Sequence, residues 1–200
     1  MIEVRIAKPS DAEGILQIYA PHILSRSTTF ETIVPNIEAF ETRITNYMQK
    51  HPWIVVLIEN TICGYAYGSV FKEREAYQWS CECSVYIENK YKGLGIGKEL
   101  YSVLFPILKS QGIRNVYAGV TLPNEASIRL HEHFGFKQFA LYENVGYKQN
   151  GWKNVGWWKL QLNEYNMNPP PPIPFSRLDS GLYNESLRKA ALNIQISING

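Results

Sequence analysis

The sequence is short of the features that define several large classes of protein. Its cysteines number three, Cys63, Cys81 and Cys83, which is odd and lacks the spacing of a disulfide framework, so a reducing compartment is favoured. No window approaches the roughly 18 apolar residues of a membrane helix, and the first eight residues contain no apolar signal-peptide core. We therefore expect a cytoplasmic protein with no membrane partner.

The sequence also lacks a large excess of charge of one sign, and it lacks Cys and His residues at the spacing of metal ligands. Lys and Arg total 20 against 18 for Asp and Glu, and this formal charge of +2 has no dense basic stripe of the kind that binds nucleic acid. A lone Cys-x-Cys pair without further Cys or His at ligand spacing is more typical of core packing than of a metal site or a thiol nucleophile. We expect neither a nucleic-acid partner nor a metal.

Apolar residues are plentiful at 45%, and aromatic residues reach 13%. That composition predicts one well-packed domain with an aromatic-lined cleft. Alternation in "MIEVRIA" predicts a strand, and helical periodicity follows in "AEGILQIYAPHI" and "IEAFETRITNYMQK". The next three alternating runs, joined by short turns, predict an antiparallel meander that ends in "QWSCECSVYIE".

The second half of the chain alternates between helix and strand patterns. Apolar periodicity predicts a helix from Gly97 to Gln111, a short strand "VYAGV", and a helix that begins after Asn124 as its N-cap. A strand around "KQFALY" and a hairpin with Asn150-Gly151 as its turn signal follow. Helices interspersed with an antiparallel meander predict an α+β fold.

Residues 163–200 differ in character from residues 1–162. Four consecutive prolines predict an extended spacer, and "ESLRKAALN" is the one weakly helical piece after it. We divide the chain into a domain of residues 1–162 and a proline-rich appendage of residues 163–200, whose order and purpose the sequence leaves open.

The stretch "KYKGLGIGKELY" places three glycines between a strand and a helix. Exposed amides at a helix N-terminus, a positive helix end and the missing Cβ atoms favour phosphate binding. A flexible turn without a ligand is the alternative. The spacing excludes a P-loop, which needs four residues before Gly-Lys and then Ser or Thr. It also departs from the dinucleotide fingerprint, since G-x-G-x-G here follows an antiparallel meander.

The stretch from Lys92 to Gly97 resembles the pyrophosphate loop of the GNAT-type N-acetyltransferases, whose signature is Gln or Arg, two residues, Gly, one residue, then Gly or Ala. Lysine replaces the Gln or Arg. Within that superfamily the chain is similar to phosphinothricin acetyltransferase and its relatives that act on methionine sulfoximine. The likeness is carried by "STTFET", "AYQWSCECSVYIE", "IRNV", "LPNEASIRLHEHFGF" and "VGYKQNGWKNVGWWKLQL". These stretches span about residues 2–162 in the family's order.

The resemblance implies a GNAT fold, which has a mixed, mostly antiparallel central sheet flanked by helices. It also implies an enzyme that moves acetyl from acetyl-CoA directly to the amino group of a small amino-acid-like acceptor. It implies no covalent enzyme intermediate. Relatives are commonly dimers, so a homodimer is expected by resemblance alone.

Glu82 is the candidate general base. Period-2 alternation in "SCECS" places Cys81 and Cys83 on one face of the strand and Glu82 and Ser84 on the other. If the cysteines face the core, Glu82 faces a cleft, where desolvation would raise its pKa. An exposed strand glutamate is the alternative from the residues alone. In the resembling family a glutamate at this position is the proposed base.

His131 is the candidate for proton transfer. Helical spacing aligns it with Asn124 and Ser127. A helical histidine is more often a packing residue, but the phosphinothricin branch has histidine here, where many GNAT enzymes place a tyrosine as general acid. Whether His131 donates to sulfur or assists the base is left open.

The resemblance also implies the remaining site residues. Those expected to bind acetyl-CoA, mostly through the main chain, are Val85, Tyr86, Ile87, Lys92, Gly93, Leu94, Gly95, Ile96, Gly97, Lys98, Asn124 and Ser127. Those expected near the acceptor are Phe30, Lys72, Arg74, Tyr77, Glu82, Cys83 and Ser84. For Lys72 and Arg74, an ordinary solvated loop with no contact to the acceptor is the alternative.

Two other functions remain open at this stage. One is a non-catalytic acyl-CoA-binding or sensor domain whose tail engages a protein partner; the presence of both Glu82 and His131 favours the enzyme. The other is an acetyltransferase for a different amine, such as a protein N-terminus or a polyamine. Lys72 and Arg74 near the cleft would disfavour a polycationic acceptor.

Overall fold

The computed structural model describes residues 1–199, which form a seven-stranded sheet with helices on both faces. The strands are β1 (Ile2–Ile6), β2 (Trp53–Ile58), β3 (Thr61–Val70), β4 (Ser80–Ile87), β5 (Asn115–Thr121), β6 (Lys137–Lys148) and β7 (Gly151–Gln161). The helices are α1 (Ala12–Leu24), α2 (Ile37–Lys50), α3 (Ile96–Ser110), α4 (Glu125–His133) and α5 (Asn184–Asn199).

The strand order is β1-β2-β3-β4-β5-β7-β6. Strands β4 and β5 run parallel, and the other neighbouring pairs are antiparallel. The predicted mixed, mostly antiparallel sheet is confirmed. The parallel pair arises because α3 carries the chain across one face between β4 and β5, as a crossover requires.

Two hydrophobic clusters pack on opposite faces of the sheet. One cluster joins α1 and α2 to the strand residues Trp53, Val55 and Tyr65. The other joins α3 and α5 to Cys81, Cys83 and their neighbours on the opposite face. The alternation that the sequence showed in β4 therefore separates two environments.

The hairpin turn lies one residue earlier than its sequence signal. Lys148 pairs with Gly151, and the two turn residues are Gln149 and Asn150, with φ of +52° and +56°. Two positive φ values define the type I′ turn that suits a two-residue hairpin. Asn-Gly is the commoner pair in such turns, so the sequence pointed to Asn150-Gly151 instead. The strand before it is also longer than predicted, because "KQFALY" and "VGYK" belong to one strand with an irregularity between Tyr142 and Gly146.

The segment after residue 162 packs against the rest of the chain. Helix α5 contains the predicted helical piece and buries Leu187, Ala190 and Ile194 against the α3 face of the sheet. Gln111 Nε2 donates to the carbonyl of Ile173 at 2.8 Å, which ties the proline-rich stretch to the end of α3. Among residues 1–199, no helix combines the length and the hydropathy needed to cross a bilayer.

Candidate active site

The candidate site begins where β4 and β5 separate. The two strands pair at three positions, the last being Glu82 with Tyr117, although β4 continues to Ile87 and β5 to Thr121. On its other edge β4 stays paired with β3 as far as Ile87. The residues of β4 after Glu82 therefore turn one edge of unpaired main-chain groups towards a gap in the sheet.

A cleft of about 690 Å³ opens at this gap. Its walls are β4, the end of β5, the start of α4, the end of α1 and the turn of residues 92–97, which we call the glycine turn. It brings together most of the residues that the sequence predicted for the site: Cys83, Ser84, Val85, Tyr86, Ile87, Lys92, Gly93, Gly95, Ile96, Gly97, Lys98, Asn124, Ser127 and His131.

The other predicted residues lie outside the lining of this cleft. Leu94 packs against the core on the α3 face. Phe30 packs on the backbone of Gly146, where any Cβ would collide with its ring. Lys72, Arg74 and Tyr77 are exposed in the connection between β3 and β4. The last member of the group, Glu82, is half-buried and directly precedes the cleft residues of β4.

The glycine turn has the backbone shape that its composition predicted. Gly93 and Gly95 adopt φ of +82° and +74°, a region that residues with a Cβ rarely enter. An added Cβ at either position would meet nothing within 4 Å, so the turn faces open space. Helix α3 starts at Ile96, directly after Gly95 as its N-cap, and its first amides have no intrahelical acceptor. The turn thus presents free donors at a positive helix end.

Cations surround the mouth of the cleft. Lys92 and Lys98 line it, as does Arg26 from the segment after α1. Partial burial lowers the pKa of Lys92, and Arg26 lowers it further. Arg26 also donates to Asn89 Oδ1 at 2.9 Å. Positive charge of this density at a helix N-terminus fits a diphosphate group.

His22 forms part of the same wall and is neutral. Burial lowers its pKa to about 4, with further lowering by Arg26, Lys92 and Lys148. Its Nδ1 atom lies 2.6 Å from Thr28 Oγ1, and its ring meets the ring of Tyr86 edge to face.

Glu82 has an unusual carboxyl group. Burial raises its pKa from the ordinary 4.5 to about 6, an effect that Lys72 opposes. Ser69 is its partner on β3 and Tyr117 its partner on β5, so its side chain shares a face with theirs. A carboxylate with a pKa near 6 is ionised at neutral pH and still basic enough to take a proton.

His131 is buried on the other face, against Cys83 and Tyr101. Its Nδ1 lies 2.7 Å from the carbonyl oxygen of Ser127, which accepts, so Nδ1 carries the proton. Burial lowers the pKa of His131, so the neutral ring presents Nε2 as an acceptor. Tyr101 donates its hydroxyl proton to Nε2 at 3.0 Å, and Cys83 Sγ lies 4.0 Å from the same atom.

Sequence reasoning missed several residues of this site, among them His22, Arg26 and Tyr101. Tyr101 occupies an apolar position of an amphipathic helix, where an aromatic residue normally indicates core packing. His22 and Arg26 enter the site through long-range packing of α1 beside β4. No local motif marks any of the three.

Comparisons with known proteins identify the family to which this fold belongs. A sequence model described as an acetyltransferase (GNAT) domain matches residues 4–157. The chain belongs to the GNAT acetyltransferase family. The expected fold and enzyme class are thereby confirmed, and the acetyl donor of this GNAT acetyltransferase is acetyl-CoA.

Curated relatives of this GNAT acetyltransferase extend over most of its length. Phosphinothricin N-acetyltransferase of Streptomyces viridochromogenes is 31% identical over 86% of this chain and 92% of that enzyme. L-methionine sulfoximine/L-methionine sulfone acetyltransferase of Salmonella typhimurium is 27% identical over 81% of this chain and 95% of that enzyme.

Solved structures give the same result. The phosphinothricin acetyltransferase of Sinorhizobium meliloti, solved in complex with AcCoA, superimposes with a TM-score of 0.79 at 29% identity. The match covers 93% of this chain and 97% of that one.

Proposed function

We propose that this GNAT acetyltransferase transfers acetyl from acetyl-CoA to the amino group of a small amino-acid-like acceptor, such as phosphinothricin, methionine sulfoximine or a related amino acid. The observation that carries the proposal is the position of Glu82. A carboxyl group with a pKa near 6 lies at the last paired position of β4 and β5, where the cleft begins. The phosphinothricin and methionine sulfoximine acetyltransferases to which the chain is similar support the acceptor class.

The donor side of the site is built mainly from main-chain groups. The amides of residues 93–98 and the nearby cations are suited to the pyrophosphate. The free edge of residues 85–87 is suited to the amide groups of the pantetheine arm, which would extend the sheet like an added strand. Asn124 caps α4 by accepting from the Ser127 amide at 3.3 Å, which leaves its side-chain NH2 free to donate into the cleft.

Glu82 acts as the general base in this proposal. A substrate ammonium must lose a proton before its nitrogen can attack the thioester carbonyl. Glu82 is ionised at pH 7 and accepts that proton, directly or through one water. The new C–N bond then replaces the C–S bond, with no covalent enzyme intermediate.

His131 supports proton transfer on the thioester side. Alternation in β4 puts Cys83, which His131 contacts, and Glu82 on opposite faces, so the histidine does not act by assisting the base. Its Nε2 atom is unprotonated and the Tyr101 hydroxyl is the donor of this buried pair, so in the proposal Tyr101 gives its proton to the leaving thiolate. The second proton that the acceptor nitrogen loses as the amide forms restores the tyrosine hydroxyl through water.

The acceptor lies on the Glu82 side of the gap. Lys72 and Arg74 provide positive charge for the acceptor carboxylate, with Arg74 better suited to bidentate contact. Tyr77 closes one wall, and Phe30 covers the site from the segment after α1. Ser84 contributes its side chain to the floor, whereas Cys83 contributes only main-chain groups because its thiol faces the α3 side. These cations also disfavour a polyamine as acceptor.

Three finer statements complete the proposal. The enzyme acts in the cytoplasm, and acetylation protects the cell from amino-acid analogues of the phosphinothricin type. It also works as a homodimer. The edge strand β6 supports dimerisation, since it carries exposed apolar side chains such as Leu141, Val145 and Tyr147 and has an unpaired backbone edge among the described strands. Sedimentation equilibrium would give twice the 23.0 kDa mass if this is right.

Release of free thiol from acetyl-CoA tests the activity. The assay compares phosphinothricin, methionine sulfoximine and the proteinogenic amino acids as acceptors, with product masses confirming N-acetylation. We expect turnover with at least one α-amino acid. Retained binding of CoA with no acetylation of any amine would contradict the proposal and favour a sensor domain.

A further inference from the structure

Six aromatic rings form a continuous surface beside Glu82, which we call the aromatic platform. Its members come from β5, β6, β7 and the connection that follows β3: Phe71, Tyr77, Tyr117, Phe139, Tyr142 and Trp157. Each ring lies within 6.4 Å, centroid to centroid, of at least one other member. Since the rings form one connected set, they present one apolar surface rather than scattered exposed residues.

The aromatic platform touches the reacting part of the site at two points. Tyr117 pairs with Glu82 across β4 and β5 on the same face, and Phe71 stacks on Tyr117 with centroids 4.3 Å apart and planes at 16°. Trp157 lies over Gly119, where an added Cβ would be 3.2 Å from its ring. Gly119 itself lines the cleft. A molecule whose nitrogen lies at Glu82 can therefore extend its side chain over these rings.

The aromatic platform is not closed off by the helices on its face. Helices α1 and α2 pack on β2, β3 and β4. Three members lie beyond that cover and are exposed to fractions of 42% for Tyr77, 55% for Phe139 and 50% for Tyr142. Large aromatic side chains gain both apolar burial and ring-ring contact when a further flat, uncharged group covers them.

Charge around the platform favours an uncharged side chain on the acceptor. The faces of aromatic rings carry partial negative charge, and the Glu82 carboxylate lies at their border. One cation at this surface, Lys72, has its Nζ 5.3 Å from the Phe71 ring centroid. A second, Lys159, pairs with Tyr117 across β5 and β7 and donates its Nζ proton to the Tyr165 hydroxyl at 2.9 Å. One such cation suffices for the acceptor α-carboxylate. A second anion on the acceptor side chain would then lie over ring faces and near Glu82.

We propose that the preferred acceptors are aromatic L-amino acids, whose ring stacks on the aromatic platform while the α-amino group lies at Glu82. This inference rests on the proposed function, because it names the acceptor class of the same site. It differs from that function in selecting the side chain by an aromatic surface rather than by its anionic or sulfoximine group.

Specificity constants for a panel of acceptors test the inference. We expect kcat/KM for L-phenylalanine and L-tryptophan to exceed that for L-alanine and L-aspartate by about tenfold or more, the range that apolar contacts give in such discrimination. If the enzyme acetylates phosphinothricin but neither L-phenylalanine nor L-tryptophan, this inference is overturned and the proposed function stands. Failure with every amine would contradict the proposed function itself.

A variant separates the aromatic contact from general damage. Phe71→Ala should lower kcat/KM for L-phenylalanine by about tenfold while lowering that for L-alanine much less, so the ratio between the two falls. Leu192→Ala, on the exposed side of α5 at 60% exposure, is the matched surface control and should leave the ratio unchanged. If Phe71→Ala lowers kcat/KM equally for both acceptors, so that their ratio stays at the wild-type value, the inference is overturned.

Discussion

The two faces of β4 differ in almost every physical property. On one face, Cys81 and Cys83 are buried against α3, and burial raises the pKa of the Cys83 thiol to about 12. On the other face, Glu82 and Ser84 are half-buried and border rings that no helix covers completely. One strand therefore separates a closed, apolar side from an open side that contains a titratable group.

This difference suggests a division of labour within the site. The closed side holds neutral groups in fixed hydrogen bonds, as with His131 and Tyr101, and suits a thioester that must be shielded from water. The open side holds the one carboxyl group with a pKa near 6 and suits an acceptor that must enter, lose a proton and leave. The gap after the Glu82–Tyr117 pair connects the two sides.

The largest expected effect comes from removing the base on the open side. Glu82→Gln should lower kcat by about a hundredfold or more, the usual contribution of a general base, while acetyl-CoA affinity stays near the wild-type value. Steady-state kinetics and CoA titration measure the two quantities. Glu38→Gln, on the exposed first turn of α2, is the matched control and should change neither. A Glu82→Gln enzyme with unchanged turnover would remove Glu82 from the mechanism.

Removing a hydrogen bond on the closed side should change the free energy of unfolding and the pKa of the histidine there. Tyr101→Phe leaves His131 Nε2 without its donor, which should lower the free energy of unfolding by about 1–3 kcal/mol. Because the lost hydrogen bond stabilised the neutral ring, the pKa of His131 should rise. Chemical denaturation and NMR titration measure these effects. The control is Tyr147→Phe, since Tyr147 is 60% exposed and its hydroxyl has no hydrogen-bond partner in the part of the chain that the structure describes. A His131 pKa that stays constant would show that Tyr101 does not hold the ring.

The glycine turn tests the donor end of the closed side. Gly95→Ala places a Cβ at φ of +74°, which costs about 1–2 kcal/mol although no atom obstructs it. Relief of that strain moves the amides of the turn, so KM for acetyl-CoA should rise by roughly tenfold. KM for the acceptor should change less. Gly181→Ala, which requires no positive φ, is the control. Equal KM values for acetyl-CoA would contradict a role for the turn in binding the donor.

The smallest expected effect is on protein stability, because burying the charged form of Glu82 costs free energy. Its pKa in the folded protein, about 6, is above the ordinary 4.5, so the folded state loses stability as pH rises through 6 and is not affected below 4.5. Glu82→Gln should therefore gain about 1 kcal/mol relative to wild type between pH 4 and pH 8, after allowance for partial solvation. Urea denaturation at the two pH values measures the gain. A constant difference would contradict the raised pKa.

Sequence reasoning succeeded where a property depends on near neighbours along the chain. The alternation of Cys81, Glu82 and Cys83 gave the two faces of β4, and Gly93 and Gly95 gave the turn. Contacts between distant segments were not predictable in this way. The Tyr101–His131 bond joins residues 30 positions apart. The stack of Phe71 on Tyr117 joins the connection after β3 to strand β5, and strand order brings the two together. No local sequence pattern predicts either contact, since each residue taken alone is typical of an ordinary core or surface position.

The central claim is that one carboxyl group on the open face of β4 removes the acceptor proton. The pH dependence of kcat/KM for the acceptor, measured for wild type and Glu82→Gln, tests it most directly. We expect kcat/KM of the wild type to rise with pH along a limb whose apparent pKa is near 6, and we expect this limb to be absent from the variant. The same limb in both proteins, at whatever rate, would contradict it.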